Sequence, residues 1–130
     1  MTKLAMIALG GAVGALLRYG VGVWSGQHIG TGFPWGTLIV NLLGAFVIGV
    51  LAALMQRTLW ADWLVGLVMV GLLGAFTTFS TFSLEAVTLF REGATAKAVL
   101  YLGVSNIGGI ALAAFGFWLG SILTSSPSFP

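Results

Sequence analysis

Residues 77 to 83 read Thr-Thr-Phe-Ser-Thr-Phe-Ser, five hydroxyls and two phenyl rings in seven positions. Apolar sequence runs up to them from Leu64 to Phe76 and away from them to Phe90. A bilayer tolerates polar side chains only where they are paired or line a cavity, so something polar must bind or pass here. Hydroxyls donate hydrogen bonds without carrying charge. Phe79 and Phe82 are three residues apart and therefore neighbours on one helical face. The edge of a phenyl ring is positive, so ring edges presented to a path suit an anion. Thr78, Ser80, Thr81 and Ser83, together with the amide of Asn41, could replace water around a small anion. Dehydrating an ion costs tens of kcal/mol in a continuum estimate, on the order of what several weak donors must offset together. A lysine in the run would hold the ion too tightly to release it, and none is there.

Each of these residues also has an ordinary reading. Asn41, within Thr37 to Gly44, could make an interhelical hydrogen bond of about 1 kcal/mol or face a permeation path. Both remain open. Asn106, beside Ser105, reads closer to the first. Two phenylalanines alone would be packing; their hydroxyl-rich setting changes that. Arg18 and Glu85 are the charges most deeply embedded in apolar sequence, and each can snorkel or pair with another charge as an anchor. Arg18 could also draw anions into a vestibule, whereas Glu85 reads as structural. Enzyme chemistry has little to stand on. The single histidine, His28, has no carboxylate nearby in sequence, and Asp62, Glu85 and Glu92 show no metal-ligand spacing. The absence of cysteine removes disulfide, thiolate and Cys-based metal chemistry.

These side chains must be positioned by membrane-spanning helices. Of 130 residues 58% are hydrophobic and 6% charged, against roughly 25% charged in a soluble domain. With a mean hydropathy of +1.08, the chain reads as an all-α integral membrane protein with a single domain. A span needs about 20 apolar residues, and four candidates lie at approximately 3–24, 36–55, 60–90 and 96–123. The first, although it follows Lys3, continues past Arg18 and reads as a span rather than a cleaved signal. The third is too long for a straight helix and contains Gly71, Gly74 and the hydroxyl run. It is expected to be discontinuous, its freed carbonyls satisfied by an ion, water or a neighbour. A polar Ser/Pro tail follows from Thr124 to Pro130.

Small residues recur every fourth position at Gly10 and Gly14, at Ala45, Gly49 and Ala53, and at Gly116 and Gly120. This spacing lets helices approach closely, either within the chain or at a dimer seam. The small size of the bundle favours oligomerisation. Loop charges are nearly balanced, with Lys3 and Arg57 on one side and Arg91, Lys97 and Arg18 toward the other. Without a clear positive-inside bias the chain is expected to insert both ways and to form an antiparallel dimer. The excess of two positive charges fits contact with lipid and is no argument for nucleic acid.

Three segments, in order, resemble the Fluc (CrcB) fluoride channels: Gly10 to Tyr19, Gly36 to Asn41, and Gly74 to Ser83 followed by Leu84 and Glu85. The resemblance covers nearly the whole chain. It implies passive fluoride export through an antiparallel, dual-topology homodimer in a bacterial plasma membrane. It further implies that Phe79 and Phe82 line the pathway with Asn41, and that Ser80 and Thr81 belong to its polar track. A structural sodium ion at the dimer centre would be held by backbone carbonyls at Gly74 and Thr77, and Arg18 matches the family's first-helix arginine. The chain departs from many relatives by Gly74-Ala75 where they carry two glycines, and by Gly109 and Ala113 where some place hydroxyls. A small proton-coupled multidrug exporter also uses four short spans, but it needs an acid in its first helix, and Lys3 to Trp24 has none. A noncatalytic packing subunit would not need the hydroxyl and phenyl run.

Overall fold

The computed structural model describes residues 1–124, so most of the expected Ser/Pro tail lies outside the described residues. The described residues form five helices: α1 (Thr2–His28), α2 (Trp35–Arg57), α3 (62–76), α4 (Phe79–Arg91) and α5 (Thr95–Thr124). Among the described residues there is no strand. Four stretches are long and apolar enough to cross a membrane: Thr2–His28, Trp35–Arg57, Asp62–Arg91 and Thr95–Thr124. Only 11 to 28% of the most apolar part of each is buried inside the chain. The remaining apolar surface would be unstable in water and needs lipid or another protein against it.

The helix ends follow local chemistry. The first helix was expected to stop near Trp24 but runs on to His28. Ser25 stays inside it by donating its hydroxyl to the carbonyl of Gly22, and the chain turns only at Gly30, whose φ of +119° suits a residue without Cβ. Thr58 ends α2 by returning both its N–H and its hydroxyl to the carbonyl of Leu54. The third stretch starts at Asp62 rather than Trp60, after extended Ala61. Gly93, with φ +76°, turns the chain between α4 and α5.

Two stretches are wound more widely than an α-helix: Gly66–Leu73 in α3 and Val104–Gly108 in α5 adopt π-helical hydrogen bonding. Such widened turns are uncommon and often lie beside functional sites. No pattern of apolar residues announces them.

The small-residue stripes are used within the chain. A Cβ at Gly10 or Gly14 would overlap the carbonyls of Leu67 or Leu72, so these glycines seat α1 on α3. Likewise Gly49 lies on the carbonyl of Ala113 and Gly116 on that of Phe46, joining α2 to α5. The dimer expectation therefore draws no support from these glycines. A small core of Leu38, Phe82, Ala86, Leu89, Ala98 and Tyr101 ties α2, α4 and α5 together.

Candidate functional site

Helical winding stops at Phe76 and resumes at Phe79. Between them Thr77 (φ −85°, ψ 156°) and Thr78 (φ −150°, ψ 116°) are extended. Asn41, on α2, holds this point with both ends of its amide. Its Nδ2 donates to the carbonyl of Thr78 at 3.1 Å, and its Oδ1 accepts the N–H of Thr78 at 2.8 Å. Both sequence readings of Asn41 thus meet: it makes interhelical hydrogen bonds, and its second amide N–H is uncommitted. Thr78 in turn caps α4, its Oγ1 accepting the N–H of Thr81 at 3.2 Å. On the other side Thr77 folds back, its N–H and hydroxyl both reaching the carbonyl of Leu73, at 3.1 and 3.0 Å. Its methyl lies on Gly44, where a Cβ would overlap it.

These bonds divert donors. In a continuous helix the N–H of Thr78 would close onto the carbonyl of Gly74, and that of Thr81 onto the carbonyl of Thr77. The first goes to Asn41 and the second to the Thr78 hydroxyl. The carbonyls of Gly74 and Thr77 thereby lose these two helical donors.

Two grooves meet at Thr78. The first, about 410 Å³, is lined by Asn41, Gly74, Thr77, Thr78, Phe79 and Phe82, with Ser105 and Asn106 opposite on α5. The second, about 480 Å³, is lined by Arg18 and Tyr19 of α1, Thr37 of α2, and Thr78 and Thr81. Arg18 is the only formal charge on either wall, and it makes no salt bridge among the described residues. The hydroxyls form a chain, with Thr78 Oγ1 donating to Thr81 Oγ1 at 3.0 Å and lying 3.4 Å from Ser80 Oγ. Ser80 itself is exposed. Ser83 is spent locally, donating to the carbonyl of Phe79 at 2.8 Å.

The two rings are adjacent, 5.7 Å between centroids at 44°, but their surroundings differ. Phe82 is 6% exposed and packs on Tyr101 at 5.1 Å, whereas Phe79 is 76% exposed. Phe82 is therefore both groove wall and core, and Phe79 is groove wall alone.

Glu85 lines neither groove. It was expected to snorkel or pair with another charge; instead each oxygen accepts a hydroxyl, Oε1 from Thr37 at 2.9 Å and Oε2 from fully buried Tyr101 at 2.6 Å. Charge-assisted bonds of this kind are the strong ones, and they join α2, α4 and α5. Sequence reasoning missed both partners, although a tyrosine in an apolar helix must satisfy its phenol somewhere. It also passed over Ser105. The Ser105 hydroxyl is buried without a hydrogen-bond partner and lines the first groove, one turn before Gly109. So α5 brings a serine to this wall. Asn106, next to it, donates to the carbonyl of Leu102 on its own helix at 2.7 Å rather than across helices.

Comparison with known proteins adds an independent line. A family model described as CrcB-like protein, Camphor Resistance (CrcB), matches residues 5–117. A protein of Agrobacterium fabrum named fluoride-specific ion channel FluC is 48% identical over 121 residues, covering 92% of this chain and 97% of its own. Proteins of the same name from Chloroflexus aurantiacus and Rhizobium etli are each 46% identical, covering 92% and 88% of this chain and 96% and 90% of their own.

Proposed function

The chain belongs to the CrcB-like family, and from that membership and its two donor-lined grooves we propose that it is a fluoride-selective channel. It is a multi-pass membrane protein that lets fluoride leave a bacterial cell passively through the inner membrane, lowering cytoplasmic fluoride toxicity. The observation that carries the reading is the junction of the grooves at Thr78, lined by hydroxyls, an amide and two phenyl rings, with Arg18 the only formal charge among the described lining residues. Donors without charge match a small, strongly hydrated anion, because together they replace its water yet hold it weakly enough to release it. Arg18, which makes no salt bridge among the described residues, raises the local anion concentration in the second groove. Phe79 and Phe82 line the first, Asn41 offers its spare N–H, and Ser80 and Thr81 extend the hydroxyl track. Ser105, whose buried hydroxyl has no hydrogen-bond partner among the described residues, lines the same groove from α5.

Asp62–Arg91 is read as one span interrupted at 77 and 78, and the working unit as an antiparallel, dual-topology homodimer. A path lined by Phe79, 76% exposed in the single chain, would lie open on that side, and a second copy would enclose it. The near-equal loop charges agree with insertion in both directions. The carbonyls of Gly74 and Thr77, which lose these two helical donors, fit a structural sodium ion, which takes oxygen ligands. Gly74 leaves room there, since a Cβ at its position would find its nearest neighbour 3.9 Å away. When bound, such an ion would offset the negative end of α3.

The test is ion efflux from vesicles containing only this protein. Fluoride-loaded vesicles should discharge once a potassium ionophore relieves the charge build-up, and chloride-loaded vesicles should not. Equal efflux of both ions, or of neither, refutes the reading.

A further inference from the structure

The α1–α2 connection, residues 29–34, is fastened along one face of α5. The Lys97 ammonium donates to the carbonyl of Gly32 at 2.8 Å. The next residue of the loop but one from Thr31, Phe33, sets its ring edge-on to Tyr101, with centroids 5.5 Å apart at 81°. Lys97 and Tyr101 are four residues apart, so latch and ring lie on the same side of their helix. Trp35 backs Phe33 from the other side at 4.8 Å, and the loop starts from Gly30, fixed by its N–H on the Ser25 carbonyl.

From Phe33 a circuit of contacts closes on itself. Phe33 bears on the ring of Tyr101, and Tyr101 holds one oxygen of Glu85. The other oxygen of Glu85 takes the hydroxyl of Thr37, one turn after Phe33 on the chain. Thr37 lines the groove that holds Arg18. Glu85 does not line that groove but adjoins it through Thr37, and both of its oxygens are occupied by hydroxyls. A carboxylate released from Tyr101 would be free to swing toward the groove and repel an anion there.

We propose that residues 29–34 form a positioning strap, latched by Lys97 and bearing through Phe33 on Tyr101, that keeps the charge of Glu85 masked from the anion path. This rests on the reading of the Arg18 groove as part of that path. Phe33 and Lys97 are positioning residues: neither touches the ion.

The test compares wild type, Phe33→Leu, Lys97→Met and Lys97→Arg in vesicles at low and high concentrations of an impermeant salt. Phe33→Leu carries the flux measurement because it changes no charge. Its fluoride efflux at low salt should fall about three- to tenfold, with the deficit narrowing at high salt, since an unmasked charge is screened and a packing defect is not. Lys97→Met should speed amide exchange across 29–34 by about three- to tenfold, and Lys97→Arg should restore the wild-type rate. If Phe33→Leu does not purify as the wild-type oligomer, Phe33→Met takes its place. Wild-type efflux from the Phe33 variant, or a deficit equal at both salt concentrations, overturns the strap while leaving the channel intact. Absence of fluoride efflux from the wild type overturns the channel reading itself.

Discussion

Truncating Asn41 to alanine should weaken the fold and the ion path together, because one amide serves both. In the folded chain Asn41 holds the Thr78 N–H at 2.8 Å and the Thr78 carbonyl at 3.1 Å. Thr78 is 9% exposed, so its N–H has little access to another partner. Leaving a buried N–H unpaired costs about 1–3 kcal/mol, and losing the second, neutral bond about 1 kcal/mol more. The sum, about 2–4 kcal/mol, corresponds to a fall in melting temperature on the order of 10 °C for a chain of this size. The assay is thermal unfolding of purified protein followed by tryptophan fluorescence, paired with fluoride efflux from vesicles.

Asn41→Asp separates the two roles. The carboxylate still accepts the Thr78 N–H but cannot donate to the Thr78 carbonyl, and it puts a negative charge on the groove wall. It should therefore lose less stability than the alanine variant and more flux. An alanine variant with an unchanged melting temperature would refute the clamp. An aspartate variant with wild-type flux would refute Asn41 as part of an anion path.

The two rings should respond differently, because only Phe82 belongs to the core. Phe79→Ile should keep the oligomer on a sizing column and strongly reduce fluoride flux, whereas Phe82→Ile should lose flux and about 1–2 kcal/mol of stability as well; near-normal flux in both would return the rings to packing. Gly49→Ala, which drives a Cβ into the Ala113 carbonyl, should cost about 1–3 kcal/mol or more in thermal or denaturant unfolding. Gly11→Ala, with nothing within 4 Å of the added Cβ, should be neutral or slightly stabilising in the same measurement. A cysteine introduced near the amino terminus should be labelled from outside intact cells in only part of the population, and uniform labelling or uniform protection would exclude dual topology.

What the sequence makes legible here is what one side chain or one run can carry alone. Twenty-odd apolar residues in a row specify a span whatever they touch. Hydroxyls crowded between apolar runs weaken a helix locally by competing for its backbone, and the winding does stop at Phe76. The features left open or missed are pairwise. Glycines four apart permit close approach without naming the partner, so Gly10, Gly49 and Gly116 read equally as a dimer seam or as internal joints, and the fold uses them internally. Glu85 meets Thr37 across 48 positions and Tyr101 across 16, separations that no local period encodes. The π-helical turns escape for a related reason. They change which residues share a face without changing the apolar composition, and Ser105 lies in one of them.

Asn41 shows why the alternatives left open by a sequence need not exclude each other. A primary amide carries two donors and an acceptor, so one of each can hold Thr78 while the other donor stays available to the groove. The bonds it makes are also the ones that divert the Thr78 N–H from the Gly74 carbonyl. One side chain on α2 thus holds extended Thr78 by two bonds, diverts its N–H from the Gly74 carbonyl, and keeps a second amide N–H on the groove wall. The hydroxyl run alone could not have ordered that point, because Thr77 and Thr78 bond back into their own segments. It is the cross-helix amide that makes the extended pair a stable feature rather than a frayed one.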